Sequence, residues 1–378
     1  MIDYTKIPSP AYVCHLKLLE KNLKLLSYVK VQSGAKIILA LKGFAMFSTF
    51  DLVARYLDGA TSSGLHEAKL AKAYMRGEVH TYAPAFKAEE IEEITTISDH
   101  IVFNTPSQLN RFYDDVKKVD PNVSISLRVN PEYSASPVEF YNPCGINSRL
   151  GTTLDHFDET LLKKLDGLNF HALCEQDADA LEGVLEAFET KFGKYLDGMK
   201  FVNFGGGHHI TKEGYDVEKL IALIQAFKKR HNNIEVYLEP GEAVGWECGE
   251  LVTTVLDVMH NGMDIAILDS SAEAHMPDTL AMPYRAEVRG ASKPLEKAYT
   301  YRLGGNTCLA GDIMGDYSFD VPLKVGDKVI FEDQIHYTFV KNTTFNGIKL
   351  PALVLVDLDG GVEVVKTFGY EDYRMRLS

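Results

Sequence analysis

IILALK at 37–42, DGATSS at 58–63, VHTYAP at 79–84, HIVFNT at 100–105, SISLRV at 124–129, NFHALC at 169–174, KFVNFG at 200–205 and EVYLEP at 235–240 are short apolar runs that close on polar or glycine residues. Stretches with helical spacing lie between them: FSTFDLVARYL, GLHEAKLAKAYMR, KAEEIEEITTI, SQLNRFYDDVKKV, FDETLLKKL, ALEGVLEAFETKF and VEKLIALIQAFKK. Eight such runs alternating with helices predict an α/β fold, a (β/α)8 barrel of parallel strands. No G-x-G-x-x-G follows the first run, which disfavours an open dinucleotide-binding sheet. In a barrel the C-terminal strand ends converge on one face, so Lys42, Asn104, Arg128, His171, Gly205 to Gly207 and Glu239 are expected to share one mouth.

The 378 residues exceed a single ordinary domain, and the texture changes past about residue 248. There TYRLGG, KVIFEDQIHYTF and PALVLVDLDGGVEVVKTFG read as strands and turns, and LVLVD and VEVVKTF flank an Asp-Gly-Gly hairpin signal. We therefore expect a barrel over 16–247 and a mostly β domain over 248–378, joined by the extended N-terminal segment 1–15. The net charge of -14 argues against nucleic acid as a partner. It suits the handling of cationic small molecules, as it also suits many acidic enzymes that handle none. MIDYTKIPSP has no apolar signal core and no apolar run reaches membrane-spanning length, so the expected location is the cytoplasm, with no membrane partner. The five cysteines show no C-x-x-C spacing, which favours neither a disulfide framework nor a zinc knuckle.

At the predicted mouth, Lys42 is either a snorkelling edge residue or a buried amine whose charged form is disfavoured, and the second forms imines readily. Gly205, Gly206 and Gly207 form either a tight turn or a loop of bare amides that an anion can approach. Glu239, before the turn residues Pro240 and Gly241, is a rim carboxylate or a partner for a protonated ring nitrogen. His171 reads as a core histidine or a ring that stacks on a planar ligand, and Arg128 as half of a structural ion pair or a brace for that ligand. A lysine, a histidine, a glycine loop and a carboxylate together make a cradle for pyridoxal 5'-phosphate, and an acidic partner for the ring nitrogen favours decarboxylation over racemisation. Cys308, in LGGNTCLAGD, is a small buried residue or a proton donor, with Asp312 four residues on. Among the eight C-terminal strand ends we find no His-x-His or carboxylate cluster, so no metal is expected.

Taken together, these positions resemble the fold type III pyridoxal-phosphate decarboxylases, the group of ornithine, arginine and diaminopimelate decarboxylases, over almost the whole chain. The resemblance implies Lys42 in ALKGF as the cofactor-bearing lysine, His171 in FHALC as the stacking histidine, and Glu239 in EPG as the pyridine-nitrogen partner. It also implies Gly205, Gly206, Gly207, Gly241 and Arg128 around the cofactor and Tyr337 in HYTF on its phosphate. Cys308 resembles a cysteine supplied across the interface of a homodimer with two shared sites. YNPCGINSRLG, LDSSAEAHMPD and FGYEDYRMRLS resemble the branch of the family that decarboxylates carboxylated triamines in polyamine biosynthesis. For such a substrate Glu273 and Asp312 are the candidates to hold cationic amines. The chain departs from the familiar decarboxylases at Glu242, where they carry arginine after EPG. Diaminopimelate or ornithine decarboxylation, and an inactive cofactor-binding regulator of polyamine metabolism, are the competing readings.

Overall fold

In the computed structural model, which describes residues 2–136, 142–281 and 284–378, the chain forms two units, Lys21–Val244 and Met1–Glu20 with Gly245–Ser378. Tyr141, the first residue of YNPCGINSRLG, lies outside the described residues.

The unit Lys21–Val244 is an all-parallel barrel. From Leu39–Ala40 its strands follow chain order through Gly59–Ser62, Glu78–Tyr82, His100–Phe103, Ser124–Arg128, Gly167–Asn169 and Phe201–Asn203 to Glu235–Leu238, which pairs with Lys36–Ile37. The sheet thus has nine strands where eight were expected. The first run is divided at Ile38, and its successive amides serve opposite neighbours. Ile38 N–H and Ala40 N–H donate to Leu238 and Pro240 at 3.0 Å each, while Leu41 N–H donates to Thr61 at 3.1 Å. One run thereby supplies both edges of the sheet and closes it, which removes exposed strand edges.

Local sequence explains the outer helices. Pro106–Val119 starts where Thr105 Oγ1 accepts the Gln108 amide, with proline in the first turn, and it turns Leu109, Phe112 and Val116 to the core. Ala178–Phe192 buries Leu181, Val184, Leu185, Phe188 and Phe192 in the same way. FDETLLKKL departs from the expected helix and forms the 3-10 turn Glu159–Lys164. Its only buried residue is Leu161, so little packing supports a regular α-helix there.

The N-terminal strand ends carry a polar network that the sequence did not announce. Glu78 Oε1 lies 2.6 Å from Lys36 Nζ, and its Oε2 accepts from Tyr237 Oη at 2.9 Å and faces His80 Nε2 at 3.1 Å. The rings of His80 and His100 stack with centroids 3.9 Å apart. These three residues are a His and carboxylate group of metal-ligand type. Here the carboxylate is already paired by Lys36. If each histidine carries its hydrogen on Nε2 toward Glu78, each Nδ1 is left as a bare buried acceptor, since neither has a partner. Burial, aided by His80 and opposed by Glu78, pulls the His100 imidazole down to about 2. Against burial, which would raise it, hydrogen bonds from His80 and Lys36 hold the Glu78 carboxyl well below its ordinary range.

In the other unit Ala11–His15 pairs antiparallel with Gly249–His260 and parallel with Ala352–Val356. Ile7, Ala11, Val13, Val252, Ile330, Ala352, Val354 and Val356 form a core cluster there. Ala352–Val356 and Val362–Lys366 form an antiparallel hairpin, as the Asp-Gly-Gly signal predicts. Asp357 Oδ1 holds its turn by accepting from the Asp359 and Gly361 amides.

The stacked histidines make the fold acid-sensitive. Because His100 titrates in the folded chain far below its ordinary 6.5, the unfolded chain gains a proton that the folded one refuses. Its stabilisation is complete above that ordinary value and drains as pH falls toward about 2, at about 1.4 kcal/mol per pH unit. His100→Asn is expected to flatten the fall of Tm on acidification below neutrality, measured by thermal unfolding across pH; an unchanged slope would contradict this origin.

Candidate active site

Lys42, Arg128, His171, the glycine loop and Glu239 lie at the C-terminal ends of the barrel strands, and their contacts form one chain of bonds. Gly206 N–H donates to His171 Nδ1 at 2.7 Å. A neutral imidazole that accepts at Nδ1 carries its hydrogen on Nε2. Nε2 lies 3.3 Å from Lys42 Nζ, so the lysine meets this N–H as an acceptor, with its lone pair. Electrostatics agree with that assignment. Lys42 keeps surface open at the mouth, yet the surrounding barrel wall excludes enough water to lower its affinity for a proton; Arg128 adds to the effect and Glu239 opposes it. Burial, with the Arg128 cation adding to it, pushes His171 well below its ordinary value, so the ring stays neutral.

Arg128 is buried, donates from Nη2 to the His171 carbonyl at 3.2 Å and lies over the Tyr82 ring at 4.7 Å. Its cationic head is spread over a carbonyl and an aromatic face. Tyr82 in turn donates to Asn104 Oδ1 at 2.9 Å, and Asn104 also receives the Gly151 amide. Asn104 therefore braces the mouth.

The glycine loop is built by close approach. A Cβ on Gly205 would lie 2.5 Å from the Phe170 carbonyl oxygen, and one on Gly206 would lie 2.4 Å from that of Glu239. Two of the three amides are already committed: Gly205 N–H to Asn203 Oδ1 at 2.8 Å and Gly206 N–H to His171. Of the three amides, that of Gly207 remains outside these bonds. Gly241 packs against Gly43, and a Cβ on Gly43 would come 2.8 Å from the Gly241 Cα, so the turn after Lys42 sits directly on the turn after Glu239.

Asn203 is a site residue that the sequence reading missed. Its Nδ2 donates to Glu239 Oε1 at 2.7 Å while its Oδ1 takes the Gly205 amide. One side chain thus orients the carboxylate and the loop together. The available signal was its place at the end of the strand Phe201–Asn203, two residues before the first glycine. The amine, the loop and the carboxylate suit a ligand that carries an aldehyde, an anion and a basic ring nitrogen.

Glu273, Cys308, Asp312 and Tyr337 belong to the other unit. Asp312 is buried and saturated. Its Oδ1 accepts from Ser271 Oγ, Ala272 N–H and Glu273 N–H at 3.1, 2.6 and 3.4 Å. Its Oδ2 accepts from Thr307 N–H and Oγ1 at 3.1 and 2.6 Å. Those bonds tie the Cys308 loop to the Glu273 turn and occupy both oxygens, against the expectation that Asp312 receives a substrate amine. Cys308 is exposed, and Glu273 is half-buried on the turn Ala272–His275. Tyr337 opens the helix Tyr337–Val340, with Lys341 Nζ 5.3 Å from its ring centroid.

The profile of the family described as "Pyridoxal-dependent decarboxylase, C-terminal sheet domain" matches residues 11–334. A Campylobacter jejuni protein named carboxynorspermidine/carboxyspermidine decarboxylase is 54% identical over 384 residues, covering 99% of this chain and 99% of its own. A Synechocystis protein named carboxyaminopropylagmatine decarboxylase is 44% identical, covering 99% of this chain and 96% of its own. The crystal structure of carboxynorspermidine decarboxylase from C. jejuni complexed with norspermidine has a TM-score of 0.92 and 52% identity, covering 98% of this chain and 100% of that one.

A Cβ added at Gly206 would meet the backbone of Glu239 at 2.4 Å and, at 3.3 Å, the His171 ring. Gly206→Ala is expected to cost about 1–3 kcal/mol of stability. Thermal unfolding checks this; a native Tm would contradict the packing argument.

Proposed function

Because the chain belongs to the pyridoxal-dependent decarboxylase family, we propose that it binds pyridoxal 5'-phosphate in the barrel mouth and removes carbon dioxide from carboxynorspermidine and carboxyspermidine, releasing norspermidine and spermidine. The observation that carries this reading is the Lys42 amine, its affinity for a proton lowered by burial, held 3.3 Å from His171 Nε2. The full-length likeness to the C. jejuni enzyme supports the substrate.

The cofactor supplies a ring that accepts the electron pair left behind when carbon dioxide departs. Lys42 would hold the cofactor through its amine, whose lowered proton affinity favours the nucleophilic unprotonated form. Glu239, oriented by Asn203, keeps a proton on the ring nitrogen through Oε2, since Oε1 is bonded to the amide. His171, its ring fixed by Gly206 and its backbone held by Arg128, would support the cofactor ring. Gly207 would hold the phosphate through its amide.

Cys308 carries the proton that replaces the lost carboxylate. We assign it to the neighbouring copy of a homodimer with two shared sites. Glu273 receives a cationic amine of the substrate, an ion pair that strengthens when substrate excludes water. We place the enzyme in the cytoplasm.

The two triamines differ by one methylene, and a pocket separates such pairs by only about 1–3 kcal/mol, so one site serves both. A second reading, carboxyaminopropylagmatine as substrate, is favoured by the 44% identity to the Synechocystis protein. Carbon dioxide release by the cofactor-loaded protein from both carboxylated triamines, carboxyaminopropylagmatine, diaminopimelate and ornithine distinguishes these cases. We expect release from the two triamines, within about 200-fold of each other in kcat/KM. Preferential release from carboxyaminopropylagmatine would select the second reading, and release from diaminopimelate or ornithine would overturn the substrate. Release from none would leave a cofactor-binding regulator.

A further inference from the structure

We propose that Asn346 is a positioning residue for Cys308, and that the C-terminal helix Tyr370–Arg374 holds Asn346 in place. The inference rests on the reading of Cys308 as the proton carrier.

Cys308 is exposed, unlike the buried Cys14, Cys144 and Cys248, so packing does little to aim its thiol. The direction of the thiol follows from the loop backbone. Cys308 N–H donates to Asn346 Oδ1 at 2.7 Å, across 38 residues of sequence. Asp312 takes both the amide and the hydroxyl of Thr307, the residue before the cysteine. The backbone is therefore pinned by two side chains, at Thr307 and at the Cys308 amide itself.

Asn346 has left-handed backbone angles, φ 54° and ψ 13°. Few side chains tolerate that conformation, and asparagine combines that tolerance with a carbonyl oxygen. The turn Phe345–Gly347 that bears it is braced from the C-terminal segment. Arg376 Nε donates to Thr344 Oγ1 at 3.0 Å, and the Tyr373 ring lies 3.4 Å from where a Cβ on Gly347 would stand. The same region is tied to the Glu273 turn, because Thr343 N–H donates to the Ala274 carbonyl at 2.8 Å. FGYEDYRMRLS, a segment with no catalytic side chain assigned to it, thereby sets the turn that sets the cysteine.

Asn346→Gly keeps a backbone at ease in the left-handed region and deletes the acceptor, whereas Asn346→Asp keeps both. The cofactor-loaded dimer of each variant and of Cys308→Ala is compared with the native protein in kcat and KM, in the fraction of turnovers that end by leaving the amine on the cofactor, and in the rate of Cys308 alkylation by iodoacetamide, read by peptide mapping. We expect Asn346→Gly to lower kcat about tenfold with KM little changed, to raise the misdirected fraction and to alter alkylation at Cys308. Asn346→Asp should keep the native kcat and product fraction. Native alkylation and product fraction in Asn346→Gly, beside an impaired Cys308→Ala, would overturn the role of Asn346 alone. A Cys308→Ala variant with native rate and products would overturn the reading of Cys308 on which it rests.

Discussion

The hydrogen bond from the Gly206 amide to His171 Nδ1 is the constraint on which the site depends. By taking the acceptor position on one side of the imidazole it decides which nitrogen carries the hydrogen, and that hydrogen points at Lys42. The bond forms only because Gly206 has no side chain, since a Cβ there would stand 2.4 Å from the Glu239 carbonyl oxygen. Closing the barrel brings these groups together. Glu239 and Gly205 follow the neighbouring strands Glu235–Leu238 and Phe201–Asn203 and share the bond from Glu239 N–H to the Gly205 carbonyl at 2.8 Å.

The two ends of the barrel use ionisable groups for opposite purposes. At the N-terminal end Lys36 keeps its proton in the company of Glu78 and Glu235, with contacts of 2.6 and 3.1 Å, and its affinity for that proton rises despite burial. At the C-terminal end burial lowers the affinity of Lys42 for its proton, and Arg128 adds to the effect. Lys36 directly precedes the interrupted first run and Lys42 ends it. The difference between a structural cation and a nucleophilic amine is thus set by burial and by neighbours from other strands.

That dependence on neighbours separates what was legible in the sequence from what was not. The apolar runs and the helices between them reveal the barrel, because period and composition are local properties of the chain. The meeting of Lys42, Arg128, His171, the glycines and Glu239 follows from the fold, which gathers strand ends on one face. The division of the first run at Ile38 was not legible, since it arises from bonding to two strands distant in sequence. Asn203 and the commitment of the Gly205 and Gly206 amides were hidden for the same reason. Asp312 looked like a ligand for an amine because an aspartate after a cysteine motif does not show that five donors already surround it. Glu78, His80 and His100 are ordinary strand residues until adjacent strands stack the two rings.

The central claim is that the walls of the barrel, with His171 held by Gly206, lower the affinity of Lys42 for its proton. The most direct measurement is the pH dependence of Lys42 acylation in the cofactor-free protein, quantified at that residue by peptide mapping. The account predicts a midpoint below the ordinary lysine value of 10.5, moving upward when Gly206→Ala disturbs the imidazole. A midpoint at or above the ordinary value, unmoved by that substitution, would contradict it.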